Sequence, residues 1–112
     1  MKEYQLGEFE EIVLLTVGVL YQNAYGVAIK DEIESRLKRK VSVGALQSAL
    51  RRMEKKGYLT SEVGEANEQR GGKPKKYFTI TAYGKKALEY SKDVRMELWT
   101  AIPPAAFELK LT

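Results

Sequence analysis

The segment VSVGALQSALRRMEKKGYL, residues 41–59, constrains this chain more than any other. Val43, Leu46, Leu50 and Met53 recur at i, i+3, i+7 and i+10, which makes one apolar stripe on a helix. Gly44, Gln47, Ser48, Arg51 and Lys55 fall on the opposite side. Ser42 is a ready N-cap and Gly57 a ready C-terminal stop, so the spacing predicts a helix over 43–56. Tyr58–Val63 and Lys76–Thr81 are rich in β-branched and aromatic residues and read as two strands. The polar stretch joining them carries Gly64, Gly71 and Gly72, and the basic residues Arg70, Lys73, Lys75 and Lys76 cluster at its end. A short helix with an apolar back and a basic front, followed by a hairpin with a basic glycine tip, suits a charged groove and its rim.

The remaining segments supply a scaffold for that unit. Residues 6–22 are apolar almost all round and predict a helix buried on most sides, part of it by a second subunit. Asn23 is a plausible N-cap for a helix over 24–38, with Tyr25, Ala28, Ile29, Ile33 and Leu37 facing inward. Arg36, Lys38, Arg39 and Lys40 close that helix, where cations suit the C-terminal dipole. Thr81 can cap a helix over 82–101, along which Gly84, Ala87, Leu88, Ser91, Val94, Leu98 and Ile102 form a stripe flanked by Trp99. The second half of that helix finds no packing surface within one subunit, which implies a dimer contact. Pro103-Pro104 ends it.

The order helix, helix, helix, strand, strand, helix predicts an α+β, mainly helical fold: a winged helix-turn-helix with a C-terminal dimerisation helix. Residues 1–81 would form the winged region, 82–104 the dimerisation helix and 105–112 a tail, within the one compact domain that 112 residues fit.

Composition narrows the function. The chain has neither cysteine nor histidine. Disulfides, thiol chemistry, His/Cys metal sites and His-based catalysis are thereby excluded. No carboxylate cluster stands in for them, so neither an enzyme nor a cofactor or metal site is expected. The N-terminal stretch is acidic, without a signal-peptide pattern, and the apolar run 12–21 is too short to span a bilayer, which predicts a cytoplasmic protein with no membrane partner. A net charge of +4 masks two local clusters, 36–40 and 70–76, of the kind that meet polyanions or serve as solvated faces.

The runs LGEFEEIVLLTVGVLY, YGVAIKDEIESRL, VSVGALQSALRRMEKKGYL and RGGKPKKYFTITAYGKKAL resemble the PadR family of bacterial transcriptional regulators, over residues 6–88. The resemblance implies a homodimer, mostly acting as a repressor, on a pseudo-palindromic site in double-stranded DNA. The chain resembles the short members, for which pairing through one terminal helix is expected. The family carries Tyr-Pro where this chain has Gln47-Ser48, and His-Gly-Tyr where it has Tyr25-Gly26-Val27, so a different operator is expected.

Chemistry then assigns roles. Gln47 can pair with adenine and Arg51 with guanine, while Ser48 can reach a base or a phosphate. Arg52 and Lys55 are expected at phosphates, with a helical ion pair as the alternative for Arg52. Ser42 and Gly44 complete the set at the helix start. Arg70, Lys73, Lys75 and Lys76 are expected on the DNA backbone or in the minor groove, and Gly71-Gly72 would let the main chain approach the duplex. Strand alternation puts Lys75 and Lys76 on opposite faces. Val94, Leu98, Trp99 and Ile102 are expected at the dimer contact. By analogy with some short relatives, Trp99 could also stack on an aromatic, cationic small-molecule effector. A protein-binding winged helix and a ligand sensor with a secondary DNA role remain as rivals.

Overall fold

The computed structural model describes residues 4–64 and 74–108. Its elements are α1 (Glu8–Val19), α2 (Gly26–Leu37), α3 (Val43–Lys55), β1 (Leu59–Val63), β2 (Lys76–Ile80) and α4 (Ala82–Ala101), then a 3₁₀ turn over Pro104–Phe107. The expected winged helix-turn-helix is therefore present. Its core joins Val13, Leu14 and Val17 of α1 to Ile29 and Ile33 of α2, and to Leu46, Leu50 and Met53 of α3. Leu59, Phe78 and Ala87 close it from the hairpin and α4.

Local chemistry sets the ends of α3. Ser42 Oγ accepts the Ala45 N–H at 3.2 Å. At the other end Tyr58 N donates to Met53 O (2.9 Å) and Gly57 N to Glu54 O (3.1 Å), a Schellman pair that needs the positive φ of Gly57, 85°. Thr81 caps α4 by accepting the Gly84 N–H at 2.9 Å. Its own hydroxyl donates to Gly57 O at 2.6 Å, and its N–H donates to Tyr58 O at 3.0 Å. Both ends of the α3–β1 link are thus fastened to the start of α4.

Two segments depart from the sequence reading. Helix α1 stops at Val19 and is followed by a left-handed Gln22 (φ 66°). Asn23 does not cap α2; the cap position is Tyr25, in extended conformation and without a side-chain cap bond. The cause is the hairpin. Phe78 N donates to Ala24 O at 2.8 Å and Tyr25 bridges Tyr77, so residues 24–25 are held extended against β2. Strands β1 and β2 pair antiparallel, Leu59 opposite Ile80 and Val63 opposite Lys76.

Helix α4 leaves the core early. Gly84 and Ala87 are its buried residues, and Glu11 of α1 ties its middle by accepting from Ser91 Oγ (2.8 Å) and Arg95 Nη2 (2.7 Å). Within that clamp Val94 is half-buried; beyond it Leu98 and Trp99 are 63% and 62% exposed. Among the described residues, no helix is long and apolar enough to cross a membrane.

Candidate nucleic-acid interface

Orientation of α3 depends on the turn before it. Lys38 caps α2 in the left-handed region (φ 53°), and Glu34 Oε2 accepts the Val41 N–H at 2.8 Å across the turn. Glu34 also holds Lys30 at 3.2 Å. The Val41 N–H and Lys30 together keep the Glu34 carboxyl below the ordinary glutamate value of 4.5. An ionised Glu34 therefore staples the two helices of the helix-turn-helix at the angle seen.

The inward side of α3 has a charge centre that the sequence reading missed. Glu10 of α1 is buried, with its side chain 7% exposed, and three donors meet it: Arg52 Nε at 2.9 Å, Lys56 Nζ at 3.1 Å and its own helix's Gly7 N–H at 3.0 Å. Burial alone would raise the Glu10 carboxyl; Arg52, Gly7 and Lys56 outweigh it and hold the group below 4.5. Arg52, expected at phosphates or in an ion pair within its own helix, is instead bonded across to α1.

The basic cluster after α2 is also partly spent inside the fold. Arg36 pairs with Glu32, and Arg39 with Glu8 at 3.1 Å while lying over the Phe9 ring. Lys76 Nζ lies 3.8 Å from Glu54.

What is left unpaired faces outward. Gly44, Gln47, Arg51 and Lys55 are exposed on one side of α3 and Ser48 is half-buried beside them, as the spacing predicts. Neither Arg51 nor Lys55 has an ion-pair partner among the described residues. Lys75, entering β2, places its Nζ 3.9 Å from the centroid of the Tyr25 ring. It borders a groove of about 280 Å³ between α2, α3 and β2, which Val27, Val43 and Gln47 also line. Lys75 and Lys76 engage different partners, Tyr25 and Glu54, although both line this groove. Arg70, Gly71, Gly72 and Lys73, expected at the wing tip, lie outside the described residues.

Val43 corrects the expected apolar stripe. Leu46, Leu50 and Met53 are buried, but Val43 is 60% exposed. It opens the helix, beyond the reach of the α1–α2 core, and its side chain leans over the N-terminal edge, as helical Cβ atoms do. Across the groove, Val27 is 64% exposed. A Cβ at Gly26 would stand 3.2 Å from Gln47 Nε2, so Gly26 and Gln47 are close neighbours across the groove.

The sequence model of the transcriptional regulator PadR-like family matches residues 14–90. A PadR family transcription regulator from Clostridium difficile R20291 is 31% identical, with 80% of this chain and 91% of that one covered and a TM-score of 0.62. A PadR-like transcription factor from Bacteroides fragilis is 25% identical over 80% of this chain and 82% of that one, with a TM-score of 0.68. A PadR family regulator from Eggerthella lenta DSM 2243 shares the fold at 23% identity and a TM-score of 0.69, covering 91% and 88% of the two chains. No curated protein matches the sequence.

Proposed function

The chain belongs to the PadR-like family of transcriptional regulators, and from that premise we propose that it is a dimeric, sequence-specific repressor that reads double-stranded DNA with α3. The observation that carries this reading is the sorting of cations around one helix. Arg52 and Lys56 are bound to Glu10 of α1, whereas among the described residues Arg51, Lys55 and the neighbouring Lys75 have no carboxylate partner. An amide at Gln47 and a hydroxyl at Ser48 sit within that free basic field, the mixture needed for base edges framed by phosphates. Arg51 and Gln47 make the base contacts; Lys55 and Lys75 position the backbone. Ser42 and Gly44 extend the same contact surface; for Arg70, Gly71, Gly72 and Lys73 the proposed DNA contacts rest on the sequence alone.

Dimerisation is supported by the apolar surface that α4 leaves open. Leu15, Leu88 and Met96 line a groove of about 350 Å³ between α1 and α4, and Leu98 and Trp99 are exposed farther along α4. A second copy covering this surface by a two-fold axis would set two α3 helices ~34 Å apart, one turn of the duplex. If each subunit neutralises ~3–4 phosphates, log K falls with log salt at roughly −6. Function of this kind places the protein in the cytoplasm.

A second reading attaches to Trp99. The Phe107 ring packs against it at 5.7 Å, which leaves the indole 62% exposed and able to stack on a planar effector. Anisotropy of a labelled duplex selected from a random library, against an unselected duplex of equal length, tests the main reading across a salt series. Tighter binding to the selected duplex with a steep slope is expected. Equal, weak binding to both would overturn sequence-specific recognition.

A further inference from the structure

We propose that Val27 and Val43 read thymine 5-methyl groups, so that the preferred half-site carries a thymine beside the adenine taken by Gln47; this rests on the DNA-binding reading above. Two β-branched apolar side chains stand 64% and 60% exposed on facing helices, at the lip of one groove. Neither position serves the core, whose α2 and α3 contributions are Ile29, Ile33, Leu46, Ala49, Leu50 and Met53. The groove between them is also lined by Gln47, Lys75 and Lys76. An apolar pair framed by an amide and a cation complements an A·T step in the major groove. There the adenine edge presents N7 and N6–H₂, the thymine edge a methyl group, and the strand a phosphate.

Chemistry and geometry agree on the occupant. Val43 opens α3, and it is the N-terminal residues of a recognition helix that reach base edges. Valine is stiff at χ1, so little rotamer freedom is lost on contact. Gly26 keeps the space beside Gln47 clear, since a Cβ would crowd the amide at 3.2 Å. The methyl is the one feature of the thymine edge that a valine can favour, and burying it is worth about a four-fold gain in affinity.

The test uses the selected duplex and replaces its thymines by deoxyuridine one position at a time, which removes only the methyl. A roughly four-fold weakening is expected at one or two positions in each half-site. Val43→Ala and Val27→Ala should each erase that difference at the position they read, and the double variant everywhere, while the salt slope stays unchanged; the exposed setting of both residues lets the variants fold. Circular dichroism of each variant checks this. Tolerance of deoxyuridine everywhere, or a thymine preference that survives in the double variant, would overturn the inference and leave DNA binding intact. Absence of any salt-dependent binding would overturn both.

Discussion

Replacing Gly84 with alanine should destabilise the fold out of proportion to one methyl group. A Cβ at Gly84 would lie 2.2 Å from Tyr58 O and 3.1 Å from Ile80 Cγ2. Ordinary contact begins near 3.4 Å, so the first turn of α4 must retreat by about 1.2 Å. That retreat breaks the bond from Thr81 N to the same Tyr58 oxygen, worth about 1 kcal/mol, and strains the Thr81 cap, worth another ~1. Residual overpacking adds ~1–3 kcal/mol. Alanine's better helix propensity returns about 1 kcal/mol. The net loss is ~2–4 kcal/mol, a large share of the ~5–15 typical of a domain.

Urea unfolding followed by far-UV circular dichroism, at one fixed chain concentration, measures it. Gly44→Ala is the matched control. Its Cβ would meet nothing closer than Ser42 Oγ at 3.7 Å, so it should be neutral or gain up to ~1 kcal/mol. If Gly84→Ala unfolds within about 0.5 kcal/mol of the parent, the account of how α4 is anchored is wrong.

Other outcomes follow from the charges and the open face. Glu10 and Glu11 titrate below 4.5 in the folded chain, so their stabilisation is full above that pH and is lost as pH falls through the depressed values. An acid titration of stability should show its onset just below pH 4.5, with a shallower fall in Glu10→Gln. At neutral pH, Glu10→Gln should cost about 1.5–3 kcal/mol, toward the lower end because Arg52 and Lys56 can both reach water. The parent should sediment as the proposed dimer in analytical ultracentrifugation and Leu98→Glu with Trp99→Glu as a monomer, without altered circular dichroism; a dimer that persists in the variant would place the interface elsewhere.

The sequence spoke most clearly where structure is set locally. Ser42, Gly57 and Thr81 act within a few residues of themselves, and each cap stands where the spacing put it. Asn23 had the right chemistry for a cap but was overruled by a single bridge, Tyr25 to Tyr77, whose partner lies beyond two helices and a strand. Local pattern carries no trace of such a pairing.

The candidate site shows the same division. Arg51 and Arg52 are neighbours in sequence, about 100° apart around the helix, and only the position of Glu10 decides which is spent inside the fold. That carboxylate is separated from Arg52 by 42 residues and from Lys56 by 46, so sequence spacing could not join them. Val43 fits the apolar period, yet periodicity does not say where the opposing core ends.

The central claim is that cations are divided between the fold and the DNA. Salt dependence of duplex binding, measured by anisotropy for the parent, for Lys55→Ala/Lys75→Ala and for Arg52→Gln, tests it most directly. Loss of two cations per subunit, four in the proposed dimer, should flatten the log–log slope by about 3–4. Arg52→Gln should leave the slope unchanged, because Arg52 is held on Glu10. Equal slopes for the parent and the lysine pair, or flattening by Arg52→Gln alone, would contradict the account.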